Sequence, residues 1–236
     1  MAIALAQQAE GVSAVAVTAP AFSGATTSGN LVVLCFASDD YNGTPDAGWT
    51  QSAEMEQQTF HGAYIWWRIS TGETAFQYTI GSATVSAWIL TEWSGCDAVP
   101  YDISEGQFAA SSSTTYTTAS ITPTTGNRVL IALMGGSTSS DQGGTVGTWL
   151  NSFTEIADIG TTAGATDDVI GVAYRLVVGD SSTAFSSGCT YDQSQQARSG
   201  LIISFIEAEE VVASIEPRAF SVHQGGGRMV IKPIGY

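Results

Sequence analysis

The sequence predicts an all-β protein, an antiparallel β-sandwich of jelly-roll type, and three observations carry that expectation. Charged residues make up only 12% of the chain and lysine occurs once, at Lys232, whereas long amphipathic helices carry abundant Lys, Glu and Arg on their wet face. The polar share is filled by Thr, Ser, Gly, Asn and Gln, residues that suit pleated surfaces and the turns between them. Strand-length apolar segments also recur twice in the same order along the 236 residues.

In the first half the expected strands are roughly Val12–Thr18, Asn30–Ser38, Trp49–Met55, Thr59–Ile69, Ala75–Ile80 and Thr84–Trp93. In the second they are Tyr116–Ile121, Asn127–Gly135, Phe153–Ile159, Asp168–Val178, Ala184–Tyr191 and Gly200–Ile206. Gly, Pro, Asn, Asp and Ser separate them, as turn chemistry requires. Asn30–Ser38 and Asn127–Gly135 are continuously apolar, which suits central strands covered on both faces. The others alternate better. Gly29-Asn30 and Gly126-Asn127 are turns leading into those central strands.

The two lists match in order. Ser28-Gly-Asn-Leu-Val-Val-Leu34 corresponds to Thr125-Gly-Asn-Arg-Val-Leu-Ile131, and Trp49-Thr-Gln-Ser-Ala-Glu54 to Phe153-Thr-Glu-Ile-Ala-Asp158. Tyr64-Ile-Trp-Trp-Arg-Ile69 corresponds to Gly171-Val-Ala-Tyr-Arg-Leu176, with a Thr-Ala-Phe following each. Ala87–Trp93 corresponds to Gly200–Ile206. The expectation is an internally duplicated six-strand unit, with copies at about 12–95 and 116–207 and a linker and basic arm over 208–236. A unit of this kind has an apolar face to bury, and a second copy supplies the matching face. One sandwich is the leading arrangement, and two tandem sandwiches are the alternative.

The formal net charge of −15 argues against nucleic acid, whose phosphates demand a cationic patch. No apolar run approaches the length of a membrane-spanning helix. The first residues lack a signal peptide's basic start, so classical export is not expected. Cys35, Cys96 and Cys189 show neither disulfide nor zinc spacing. Cys35, inside Leu31–Phe36, reads as a small buried hydrophobe in a reducing compartment.

Catalytic chemistry is sparse. The only histidines are His61 and His223, and no Gly-x-Ser-x-Gly elbow marks a nucleophile, so a Ser/His/Asp triad is not expected. Glu54, Glu56 and Glu92 read as solvated strand-face charges rather than paired glycosidase acids. Asp39, Asp40 and Asp46, and Asp158 with Asp167 and Asp168, lack the spacing of a calcium loop. No catalytic residue, metal or cofactor is assigned. Aromatics give the clearest binding signal: Tyr41, Trp49, Trp66 and Trp67 fall in one third of the chain. Neighbours on a strand point to opposite faces, so one of Trp66 and Trp67 is core. The other is a candidate platform for a sugar ring or a protein partner.

The tail differs in charge. All 22 acidic residues lie at or before Glu216, whereas three of the seven basic ones follow it. Residues 1–216 therefore set 4 basic against 22 acidic residues, and residues 217–236 carry +3. The segment holds Arg218, Phe220, Arg228, Met229 and Lys232 around the triple glycine 225–227. A disordered tail would be poorer in apolar residues. Two readings stand: an arm docking on a neighbouring subunit, or a last strand folding back on its own domain.

The succession Thr-x-Gly-Asn-Leu-Val-Val, Gly-Trp-Thr, Trp-Trp-Arg-Ile and Trp-Ile-Leu-Thr-Glu-Trp-Ser-Gly resembles a diffuse group of concanavalin-like or jelly-roll virion proteins of tailed bacteriophages. The resemblance covers about residues 20–207 and carries no catalytic motif. It implies a non-enzymatic structural component on the head or tail surface, assembled in the host cytoplasm as a homo-oligomer with other virion proteins. The alternative is a lectin-like module for host glycans.

Overall fold

A computed structural model describes residues 2–38, 43–45, 47–57, 61–80, 85–138, 144–161, 167–179 and 183–209. They form antiparallel sheets and no helix. In chain order the strands are β1 (Ala4–Ser13), β2 (Val17–Thr18), β3 (Leu31–Ser38), β4 (Gly43–Pro45), β5 (Thr50–Gln57), β6 (His61–Ile69), β7 (Tyr78–Ile80) and β8 (Ser86–Ser94). They continue as β9 (Cys96–Ala109), β10 (Ser113–Thr117), β11 (Arg128–Thr138), β12 (Val146–Trp149), β13 (Thr154–Gly160), β14 (Asp167–Val177), β15 (Gly188–Gln195) and β16 (Ala197–Glu207). Each half thus has eight strands rather than the expected six. The long strands β1 and β9 escaped the sequence reading because their composition is polar and mixed, giving no apolar run to follow.

The first half builds a five-stranded sheet in the order β1-β8-β3-β6-β5 and a three-stranded sheet β2-β7-β4. Adding eight to each number gives the second half: β9-β16-β11-β14-β13 and β10-β15-β12. Two irregularities of the first half also recur in the second. Against β8, Leu5 faces Trp93 and Gln7 faces Glu92, leaving Ala6 as an extra residue. Against β16, Tyr101 faces Phe205 and Ile103 faces Ser204, leaving Asp102. Ser52 bulges from β5 between Gln51 and Ala53, and Ile156 bulges from β13 between Glu155 and Ala157. A bulge is a specific local device for bending an edge, so four at matched places bear on the relation between the halves.

The two large sheets pack face to face. Their shared core takes Leu31, Val33 and Cys35 from β3, Ile65 from β6 and Ile89 and Trp93 from β8. Val129, Ile131 and Leu133 from β11, Val172 from β14 and Ile203 and Phe205 from β16 meet them. Along the rims β1 lies over β13 and β5 over β9. The outer face of the first large sheet, with Val32, Leu34, Phe36, Tyr64 and Trp66, is covered by Tyr78 of β7 and by Phe22, Trp49 and Phe76. The outer face of the second meets Cys189 and Tyr191 of β15 and Ile121, Phe153 and Phe185. The result is four layers, three strands, five, five and three.

This layering explains the continuous apolar runs. Every residue of β3 and of β11 is buried, because each strand is central in its sheet and each sheet is covered on both faces. β8 and β16 are almost as fully covered, which corrects the expectation that they alternate. Cys35 is buried as expected, and burial pushes its thiol well above the usual range.

The matched segments agree residue for residue at β5/β13 and β6/β14 but slip by one elsewhere. Leu31 faces Ile69 and Trp93, whereas Val129, not Arg128, faces Leu176 and Phe205. The sequence match had set Leu31 beside Arg128 and Trp93 beside Ile206. A run apolar at every position has no parity by which to choose a face. The glycines of the two turns still correspond, with φ of 91° at Gly29 and 115° at Gly126.

Candidate functional site

The aromatic residues singled out from the sequence are mostly committed to the fold. Trp66 is fully buried, with Phe36 edge-on at 4.6 Å and Tyr64 at 5.9 Å. Trp49 is 9% exposed, donates its indole N–H to the Gln77 carbonyl at 3.0 Å and lies 5.8 Å beneath the Arg68 guanidinium. Arg68 in turn pairs with Glu73 at 2.6 Å. Burial acts to raise the Glu73 pKa, but the Thr71 and Glu73 amides and the Thr71 and Ser70 hydroxyls outweigh it, holding the carboxyl at about 2. The second half repeats this motif more simply, with Arg175 5.0 Å above Phe185 and Phe153 in the place of Trp49.

Trp67 points the other way, as strand alternation requires. Half-buried at the rim between the large sheets, it packs edge-on against Phe205 at 6.0 Å. Its ring is parallel to that of Tyr101 within 3°, with centroids 6.4 Å apart. Tyr101 is 40% exposed and Val99 beside it 74%. Tyr101 carried no signal in the sequence, since it lies in the unrecognised strand β9. Tyr41 and the arm residues Arg218, Phe220, Arg228, Met229 and Lys232 lie outside the described residues, as do Asp39, Asp40 and Asp46.

The structure assembles a side-chain arrangement that the sequence did not suggest. His61 opens β6 in the first half, while Asp168 and Ser199 belong to β14 and β16 in the second. His61 Nδ1 lies 3.0 Å from Asp168 Oδ1, and His61 Nε2 lies 2.8 Å from Ser199 Oγ. An ionised carboxylate only accepts, so Nδ1 carries the proton. In the neutral imidazole Nε2 then accepts from the Ser199 hydroxyl. That is the hydrogen-bond order of a nucleophilic triad. The residues are 107 and 138 positions apart in the chain with no local motif, so the sequence held no cue for it.

The surroundings give this chain of groups a different use. All three side chains are fully buried. A Cβ added at Gly135 would stand 2.6 Å from Ser199 Oγ and 3.0 Å from His61 Nε2, so the backbone of β11 closes directly over the serine. Ser199 also lies within a strand, not at the exposed turn a nucleophile occupies. The arrangement ties the two large sheets together by a buried polar link. Next to it, Thr138, Gly144, Asp167, Val169 and Gln195 line a crevice too tight for a water molecule.

The side chains of Glu54 and Glu56 lie outside what the structure describes, whereas Glu92, Asp102 and Asp158 each hold a turn or strand end. Glu92 is buried, which corrects its reading as a solvated charge. Its carboxylate accepts from Gln7 Nε2 at 2.6 Å, the Thr27 amide at 2.8 Å and Asn30 Nδ2 at 2.6 Å. In the second half the same turn is held from another strand: Asp102 of β9 accepts from the Thr124 amide at 3.1 Å and hydroxyl at 2.9 Å. The fully buried Arg128 lies 3.4 Å from it, and Ser204 stands where Glu92 stood. Asp158 accepts from the Val146 amide at 2.9 Å, well separated in role from Asp168. No cluster of three or more metal-ligating side chains occurs among the described residues.

Family models, curated proteins and solved structures all gave no match to this chain.

Proposed function

We propose that the chain is a duplicated pair of eight-strand jelly-roll units acting as a non-enzymatic structural component of a tailed-phage virion, a head decoration or tail-surface protein. The observation that carries the reading is the recurrence of the strand order in both halves, with two bulges of the first half matched by two in the second. The order 1-8-3-6 against 2-7-4, with β5 at the edge of the larger sheet, supports the jelly-roll reading. Because β1 covers β13 while β5 covers β9, the halves are related as two subunits about a two-fold axis, each offering the same face. Duplication of a self-associating unit supports a scaffold role, and so does the use of a triad-like side-chain set to fasten the halves. The virion assignment rests on the resemblance of the segments around Gly29, Trp49, Trp66 and Trp93 to phage structural proteins. Density-gradient purification of particles of the encoding phage, followed by protein mass spectrometry, tests it. The chain is expected in fixed copy number per particle, and its absence from washed particles would reject the assignment.

The parallel Trp67 and Tyr101 rings favour a second reading, a lectin-like site for host glycans. Glycan-array binding that disappears in both Trp67→Ala and Tyr101→Ala would support it. Binding no higher than background in the unaltered protein would sink it.

A further inference from the structure

The outermost strand of the first large sheet is unusually open. Among the described residues β1 pairs only with β8, leaving one row of backbone donors and acceptors along ten residues. Its sequence, ALAQQAEGVS, carries a single charge, Glu10, and no Lys, Arg or Pro. Natural edge strands are normally blunted by such residues, because an open edge is a template for another chain. The other outer strands are better guarded: β9 contains Asp97, Pro100, Asp102 and Glu105, and β13 contains Glu155 and Asp158.

The neighbourhood of this edge is acidic. β13, which carries Glu155 and Asp158, lies beneath β1 and is joined to it by Gln8 Nε2 donating to the Ile156 carbonyl at 3.1 Å. Partial burial and the charge of Asp158 push the Glu155 pKa up, against the hydrogen bond that its carboxylate accepts from Trp149 Nε1 at 3.1 Å. The sequence holds a segment of matching character, Arg228-Met-Val-Ile-Lys232. As a strand it would place Arg228, Val230 and Lys232 on one face and Met229 and Ile231 on the other.

The path of the chain points to exchange between copies. The Ala208 amide donates to the Gly95 carbonyl at 2.8 Å, and Ser94 faces Ala4 across the β1–β8 ladder, so the chain leaves the sheets at the Ala4 end of β1. Residues 210–227 then intervene, a length that spans up to about 60 Å when extended. Turning back onto β1 of the same copy needs only a few residues, whereas reaching a neighbour needs a long one.

We propose that Arg228–Lys232 of one copy adds as a strand to the open edge of β1 in a second copy, with a cation beside Glu10, the one charge that β1 carries. The inference rests on the reading of the chain as a multimeric structural component. Hydrogen exchange of the full-length protein, measured with its native mass, tests it. Amides of β1 are expected to exchange on the order of tenfold more slowly in the oligomer than in Val230→Pro, which loses a ladder donor and should be monomeric. Glu10→Lys should weaken the association, and combining it with Arg228→Glu and Lys232→Glu should restore it. Equal exchange in the unaltered protein and Val230→Pro would overturn the proposal, and so would β1 protection that persists in a monomer. Particle incorporation is read separately, so a chain that exchanges strands but never enters particles would fail only the virion assignment.

Discussion

Replacing His61 with alanine is expected to destabilise the protein by about 3 kcal/mol, the cost of leaving a buried carboxylate without its hydrogen-bond donor. The imidazole is the single side chain that reaches from the first half to both Asp168 and Ser199. Its loss removes the contact that the fully buried Asp168 carboxylate and Ser199 hydroxyl each make with the imidazole. Equilibrium urea denaturation measures the effect. Ser199→Ala serves as the comparison and should cost only about 1 kcal/mol, the net worth of an ordinary hydrogen bond. A double-mutant cycle between His61 and Asp168 should return a coupling of about 1–3 kcal/mol. Near-zero coupling would mean that the contact does not fasten the halves.

Trp66→Ala is expected to lose about 3–5 kcal/mol as well, by creating a cavity rather than by stranding a charge. Trp66 stands among Phe36, Tyr64 and Tyr78, with ring centroids 4.6, 5.9 and 6.4 Å away, between the large sheet and the three-stranded sheet that covers it. The midpoint of thermal unfolding should fall by about 10 °C, as expected for a domain of this size. Its indole N–H has no hydrogen-bond partner in the structure. Trp66→Phe should therefore cost much less than the alanine variant, since only volume is lost. The second half has Ala173 at this place, packed with Phe153, Phe185 and Ile121. The two outer cores thus solve the same problem with differently placed bulk, and copying the small residue into the first half is not neutral.

Much of this architecture was legible in the sequence, for reasons that can be named. Leu31–Ala37 and Val129–Gly135 announce central strands because a sheet covered on both faces asks for apolar residues at consecutive positions. Arg68 and Arg175 align because each closes a matched strand that is followed, after a short turn, by Thr-Ala-Phe. The parity of the central strands was not legible, since a run of apolar residues reads alike in either register. β1 and β9 were hidden for the opposite reason: as outer strands they need no apolar signature. The His61 contact joins groups more than a hundred residues apart, and only the packing of one sheet on the other brings them together. Glu92 looked like a surface charge because burial of a carboxylate is uncommon, and it became acceptable only once the turn at Thr27–Asn30 supplied its donors.

These particulars converge on one claim, that the two halves form a single cooperative body through the core they share. Urea unfolding followed by two probes tests it most directly. Tryptophan fluorescence reports chiefly the first half, which holds Trp49, Trp66, Trp67, Trp88 and Trp93. Pulsed hydrogen exchange of β11 and β14 reports the second. The shared core predicts coincident transitions by both probes, with the His61→Ala variant shifting the two equally. Two separated transitions, with only one of them moved by that substitution, would contradict it.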